Sequence, residues 1–528
     1  MLALATMGAA PASMAAPVGP AVPVNEQWTV PGQVLVRFAS SASASAIAQA
    51  NASVGGRVMK SYRFLPQLQL IRLSSSVSVG AAIARYQARS DVLYAQPNFI
   101  YKIDRTDLTP NDPLYPSMYN LNNTGQTGGT PDSDVDAPEA WDLTTGSNSI
   151  AVGDIDTGID YIHEDLKAHA KPNTAECNGV PGVDDDGNGY IDDCHGIDAI
   201  NGDTDPMDDN GHGTHTAGTM GAVGNNGKGV VGINWNVTII ACKSHDSMGN
   251  GTTAAIIECM QYMATNNSYG GCPEACGFDK ATRDAIASNG AHGILFVAAA
   301  GNANANNDAT PNYPSNYFLP NVLAVAATDH NDAKSGFSSY GLRSVDLGAP
   351  GSSIRSTYWL SSNPDNFYAY LSGTSMATPH VTGLAALIKA QDPSRDWRAI
   401  RNLILAGGDP KPSMDGKTAT GRRANAYGSL TCSGQKVSAP IAPLASVSGL
   451  KPVIVAAYNI NCANPAGKLS VTITPGNVVL RLRDGGRGAD QVAGDGTYTA
   501  KWKLNPCSPG TYTFTFSNGK SITSTVTC

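Results

Sequence analysis

Residues 371–390 read LSGTSMATPHVTGLAALIKA, and the reading of the 528-residue chain turns on them. The second half carries Val381, Leu384, Ala385, Leu387 and Ile388 at helical spacing, whereas Ser372, Gly373, Thr374, Ser375 and Ala377 make the first half small. A loop therefore runs into the start of a buried helix, with Ser375 near that start. The first turn of a helix holds unpaired backbone N–H groups and a partial positive charge. A hydroxyl there can face a cleft beside a donor suited to a developing oxyanion. Gly373 admits close approach of another segment, and Pro379 predicts a local irregularity. Taken alone, a serine at a helix start usually only caps it.

A serine hydroxyl becomes a nucleophile only beside a base, and the base needs an orienting partner. NGHGTHTAGTM at 210–220 sets His212 between glycines, and IAVGDIDTGI at 150–159 is an apolar run ending in Asp156 before Thr-Gly. An acid at a strand end, a histidine in a Gly-rich segment and a serine at a helix start compose a Ser-His-Asp set. Two rival motifs fail. An aspartic-protease site needs two Asp-Thr/Ser-Gly carboxylates, and the chain has no second one. His212 and His215 lack the His-Glu-x-x-His pattern of zinc proteases.

D-T-G, H-G-T-H and G-T-S-M-A-T-P-H, in this order, resemble the signatures of the subtilase (subtilisin-like serine protease) family, and the resemblance runs from about Asp112 to Leu430. It implies Ser375 as nucleophile, His212 as general base and then acid toward the leaving amine, and Asp156 as the group that holds the imidazole tautomer. FVAAAGN at 296–302 matches a fourth family segment and implies that Asn302 donates its side-chain amide to the oxyanion. The resemblance further implies that Gly249-Asn250-Gly251 and Ser268-Tyr269-Gly270 sandwich an extended peptide as added strands. Ala299, Ala300 and Gly301 would wall the first specificity pocket, whose base stays unidentified. Protein and peptide substrates are expected. The rival class is a binding protein on a protease fold, and the complete set of Asp156, His212, Ser375 and Asn302 argues against it.

Calcium is the expected cofactor. Within VDDDGNGYIDD at 183–193, Asp184, Asp186, Asn188 and Gly189 fit the first half of an EF-hand-like loop, with Asp192 and Asp193 following and Tyr190 among the ligand candidates, although position twelve is His195 instead of Glu. A second site rests on resemblance: Asp112, Asp165 and Asn226 match side-chain ligands of the family's strong calcium site, completed by carbonyls of Gly224, Lys228 and Val230.

Fifty-six glycines and 32 prolines, with only 15% charged residues, suit a loop-rich, well-packed extracellular hydrolase. A net charge of −8 without a long basic run speaks against nucleic-acid binding. Ten cysteines fit an oxidising compartment. Their local spacing suggests Cys177–Cys194, Cys272–Cys276 and Cys507–Cys528, with connectivity left open. The first residues, MLALATMGAAPASMAAP, resemble the end of a secretory signal whose positive n-region is missing. No stretch reaches the length of a membrane span. A secreted monomer is expected.

Five segments follow: a signal remnant (1–24), an inhibitory propeptide (25–107), a catalytic domain (108–432), a linker (433–447) and a C-terminal β-sandwich (448–528). In the second, strand, helix, strand, helix and strand alternate from Gln33 to Tyr101, a two-layer α+β pattern that resembles the ferredoxin-like propeptide of subtilases. That segment is expected to inhibit its own catalytic domain, and 103–109 is the expected maturation region. In the catalytic segment, short apolar strands alternate with helices, which predicts an α/β fold: a mostly parallel sheet covered on both faces. SGQKVSAPIAPLASV, rich in Ser, Ala and Pro, reads as the linker. Beyond it, period-two alternation and Asn518-Gly519 predict the sandwich and a hairpin. Asp484, Asp490 and Asp495 in its RDGGRGADQVAGDG run are further calcium candidates.

Overall fold

The computed structural model describes residues 29–63, 65–99, 108–170, 172–262, 266–267, 278–362, 366–504 and 506–528. The signal remnant, most of the maturation region, Ser268-Tyr269-Gly270 and the Cys272–Cys276 pair lie outside the described residues. The chain forms two units, Met1–Thr106 and Asp107–Cys528.

In the first unit, strands Thr29–Phe38, Arg57–Ser61, Leu68–Arg72 and Val92–Phe99 make an antiparallel sheet on which helices Ala44–Ser53 and Val79–Gln87 pack. The element order is β-α-β-β-α-β, the ferredoxin-like arrangement. Sequence reading did not include the Arg57–Ser61 strand, because all five of its residues are exposed and carry no buried alternation.

The second unit is built on a nine-stranded sheet. Its order runs Asp409–Pro410, Arg422–Arg423, Leu347–Pro350, Val322–Thr328, Phe296–Ala299, Asn266–Asn267, Gly146–Asp156, Asn236–Lys243, Gly196–Asp198. Among the described residues all pairings are parallel except the first. Central strands are buried on both faces. Val297 joins one apolar cluster with Val381, Leu384 and Leu387 of the serine-bearing helix, while Phe296 and Ala298 join another with Cys259, Met260 and Ile286 of two helices opposite. The serine helix, Thr374–Gln391, continues through Pro379, with no break at the expected irregularity. Proline there removes one helical hydrogen bond, and burial of nearly the whole helix holds its course.

The C-terminal strands form two sheets around Val455, Val471, Ile473, Trp502, Phe514 and Phe516. Gly510–Phe516 and Ser521–Thr527 make the expected hairpin. The linker reading is corrected: Lys436–Ala442 is a strand paired with Val453–Asn461. Val437, Ala439 and Ile441 are buried in the same cluster as Ile400 and Leu403 of helix Trp397–Gly407. The Ser/Ala/Pro composition hid an alternating K-V-S-A-P-I-A pattern. Disulfides join Cys177 to Cys194 and Cys507 to Cys528, two of the expected pairs, and also Cys242 to Cys259 and Cys432 to Cys462. No helix among the described residues is long and apolar enough to cross a membrane.

Candidate active site

Asp156 ends the Gly146–Asp156 strand, at the carboxyl edge of the parallel sheet, where α/β folds place their sites. His212 opens helix His212–Gly221, which packs against the serine helix. The two meet: His212 Nδ1 lies 2.7 and 2.8 Å from the two Asp156 carboxylate oxygens. Asp156 is buried, whereas the imidazole is 30% exposed. Burial raises the Asp156 carboxyl, but the imidazole's charge and hydrogen bond overcome this and hold it below the ordinary range. Burial likewise lowers His212, and the Asp156, Asp154 and Asp208 carboxylates reverse the sign, raising it to about 9.

Ser375 is the second residue of its helix and 9% exposed. Asn302 follows the Phe296–Ala299 strand, and its Oδ1 accepts from the Thr374 amide (2.8 Å) and hydroxyl (3.0 Å). The amide oxygen is thereby engaged, which leaves Nδ2 as the donor end of the side chain. A Cβ added to Gly373 would stand 3.6 Å from both Asn302 Nδ2 and the Ser375 amide nitrogen, so these two nitrogens lie on the same side of Gly373. Ser375 and Asn302 line a cavity of about 140 Å³.

Ala299 and Gly301 line the same cavity, as expected from the sequence. Ala300 instead packs with Ala324, Ala326 and Met414 in the core, because successive side chains of an extended segment face opposite ways. Thr310, Asn312 and Ser339 also line the cavity. They sit in loops after the Asn302 segment, and nothing local in sequence marks them. Gly249-Asn250-Gly251 is an exposed turn pinned by Asp246, whose carboxylate accepts from the Asn250 amide. Asp208 is a further residue that sequence reading missed. It is fully buried, and its carboxylate collects the Thr157 hydroxyl and the amides of Asn210, Gly211 and Thr214, tying the segment after Asp156 to the loop before His212.

The acidic groups fall in three places. Asp112 and Asp165 are buried beside the 223–230 loop. Asn225 and Asn226 amides donate to Asp112, while Asn226 Nδ2 (2.7 Å) and the Val230 amide (2.9 Å) donate to Asp165. Burial raises both carboxyls, Asp112 to about 6. Gly224 abuts Trp235, and Lys228 pairs with Glu164. In the 183–193 loop the expected grouping changes. Asp186 comes together with Glu176 and Asp193. Asp184 instead takes the Gly187, Asn188 and Gly189 amides, Asp192 takes that of Gly182, and Tyr190 Oη meets Gln261. The Cys177–Cys194 bridge, which cysteine spacing suggested, folds Glu176 onto the loop, and the acidic run itself does not reveal that partner. Asp484, Asp490 and Asp495 form the third group.

Comparison with known proteins finds relatives for two parts of the chain. Residues 147–427 match the family described as "Subtilase family", and residues 15–98 match "Fervidolysin N-terminal prodomain". Thermitase of Thermoactinomyces vulgaris is 38% identical over 60% of this chain and 98% of its own length. The thermophilic serine proteinase of Bacillus sp. (strain AK1) is 34% identical over 76% of this chain and 88% of its own. Subtilisin DY of Bacillus licheniformis is 38% identical over 48% and 82% respectively.

Proposed function

Because the chain belongs to the subtilase family, and is a subtilisin-like serine endopeptidase with an N-terminal prodomain, we propose that Ser375, His212 and Asp156 carry its peptide hydrolysis. The observation that carries this reading is the short contact of His212 with Asp156, on a helix packed against the one that bears Ser375. With Nδ1–H held by the carboxylate, Nε2 is the basic nitrogen. Ser375 Oγ attacks the scissile carbonyl as its proton passes to Nε2. The tetrahedral oxyanion is held by Asn302 Nδ2 and the Ser375 amide. His212 then protonates the leaving amine, and water repeats the sequence on the acyl-enzyme. A peptide lies along Gly249-Asn250-Gly251, with a side chain beside Ala299 and Gly301.

The enzyme is further read as a secreted zymogen that cleaves itself and is stabilised by calcium. Secretion accords with the four disulfides among the described residues. Calcium fits the buried Asp112–Asp165 pair and the Glu176, Asp186, Asp193 and Asp484, Asp490, Asp495 groups, whose carboxylates are the hard oxygen donors this ion takes. Bound there, it would neutralise crowded carboxylates and hold their loops; no proton transfer needs it.

The test is Ser375→Ala in the full chain. The expected product is one uncut polypeptide without peptidase activity, whereas the free segment Val30–Tyr101, added in trans, is expected to inhibit mature enzyme. A Ser375→Ala chain that still processes itself or hydrolyses casein would overturn the assignment.

A further inference from the structure

We propose that Lys243 is a positioning residue for the catalytic pair: its buried ammonium fastens the strand end that carries Asp156 to the loop that carries His212. The inference rests on the assignment of those two residues given above.

Lys243 is the last residue of the Asn236–Lys243 strand, and Asp156 is its partner in the adjacent parallel strand. Among the described lysines it alone is buried, at 1% exposure. A buried ammonium is costly unless it is paired and hydrogen-bonded, and the partners of this one are specific. Its Nζ donates to the carbonyl of Thr157 at 2.9 Å and to the carboxylate of Asp209. Thr157 is the residue after Asp156, and its own amide donates to Asp156 Oδ1 at 2.7 Å. The peptide units around Thr157 are thus held from both ends, by the carboxylate they orient and by the ammonium beneath. Asp209 lies three residues before His212, in the loop that delivers the imidazole.

Neighbouring contacts act in the same direction. The amides of Ser244 and His245, directly after Lys243, donate to the Asp156 carbonyl at 2.9 and 3.2 Å. Of the other carboxylates nearby, Asp208 is occupied by Thr157, Thr214 and loop amides, and Asp198 by Asn201. Asp209 is 45% exposed, so the fold did not need its charge for burial of its own. An ordinary core position would be filled more cheaply by methionine or leucine. What the ammonium adds is a tie between two segments whose relative placement sets the His212–Asp156 contact.

The experiment uses full-length enzyme, matured and titrated at its serine, so that rates refer to competent sites. Lys243→Met and Asp209→Ala are each expected to lower kcat about 10- to 100-fold, the scale of an ångström-level misplacement, with KM within about threefold. Asp209→Asn, which keeps an acceptor oxygen, is expected to recover most of the loss. The double variant Lys243→Met/Asp209→Ala should be no slower than Lys243→Met alone, because one tie is lost once. Wild-type kcat in titrated Lys243→Met, with only a lower melting temperature, would overturn the proposal and leave Lys243 a stabilising residue. Should Lys243→Met not fold, the half-exposed Asp209 pair of variants decides: wild-type kcat in Asp209→Ala is equally fatal. Ser375→Ala is run alongside. If that variant is active, the underlying assignment fails; if it is inactive while the Lys243 and Asp209 variants are normal, only the positioning role fails.

Discussion

His212 is pulled two ways. Burial disfavours its charged form and three carboxylates favour it, with the net result of a rise from 6.5 to about 9. His215 and His380 are buried without such partners and fall to about 3 and about 4, so they stay neutral wherever the enzyme works. A general base must be neutral to accept a proton. The acid limb of kcat/KM is therefore expected above pH 6.5, toward 9, and it belongs to His212. Stability runs the opposite way. A histidine whose folded value is raised stabilises the fold below its unfolded value, and that contribution is lost as pH rises through about 9. Activity should climb across the range in which the pair's contribution to the melting temperature fades. A pH–rate profile on titrated enzyme whose acid limb lies at or below 6.5 would contradict this account.

At the scale of elements, the acidic loops are where pH and a bound cation are expected to act on stability. Burial raises Asp112 to about 6 against the Asn225 and Asn226 amides, and raises Asp495 to about 6 against Arg401. A carboxyl raised on folding costs stability above its unfolded value, and the cost is complete once pH passes the folded one. Without a cation, the melting temperature should fall as pH rises from about 4 to about 6, the interval between those values. Calcium bound to the folded state reverses the trend by mass action. Thermal unfolding with and without chelator across that interval tests this. Identical curves, in protein verified to be calcium-free, would remove these loops from the account.

At the scale of the whole molecule, the β-sandwich meets the catalytic fold at a buried cation. Arg401, on helix Trp397–Gly407, lies under the Tyr458 ring at 4.7 Å, bonds the Asp495 carbonyl and the Thr497 hydroxyl, and faces the Asp495 carboxylate at 3.6 Å. Tyr458 in turn donates to the buried Asp346 at 2.6 Å. The β-sandwich is therefore packed onto the catalytic fold through a charged seam inside a shared apolar cluster. Removing one partner of such a buried set typically costs about 3–5 kcal/mol. Arg401→Met should destabilise by that order, and calorimetry of the parent should show both parts unfolding in one transition. Two independent transitions, with the first unmoved by Arg401→Met, would show a tethered module instead.

Chemistry that is encoded locally was legible in sequence. Asp156, His212, Ser375 and Asn302 each lie in a short segment where strand end, glycine turn or helix start leaves few alternatives, so ordered motifs single them out as candidates, and the fold sets His212 against Asp156 and Asn302 against Thr374. The parallel sheet was legible because its strands are apolar on both faces and alternate with helices. Contacts between distant segments were not. Glu176 reaches Asp186 and Asp193 only once a disulfide closes the loop. The strand Lys436–Ala442 is a strand because Val453–Asn461 lies beside it, not because Ser, Ala and Pro favour extension. Lys243 reads as an ordinary strand-terminal lysine until folding places Thr157 and Asp209 around its ammonium. Motifs and periodicity record what each segment is built to do; which buried charge meets which partner is settled by packing, where the penalty for an unpaired charge selects among placements that the sequence leaves open.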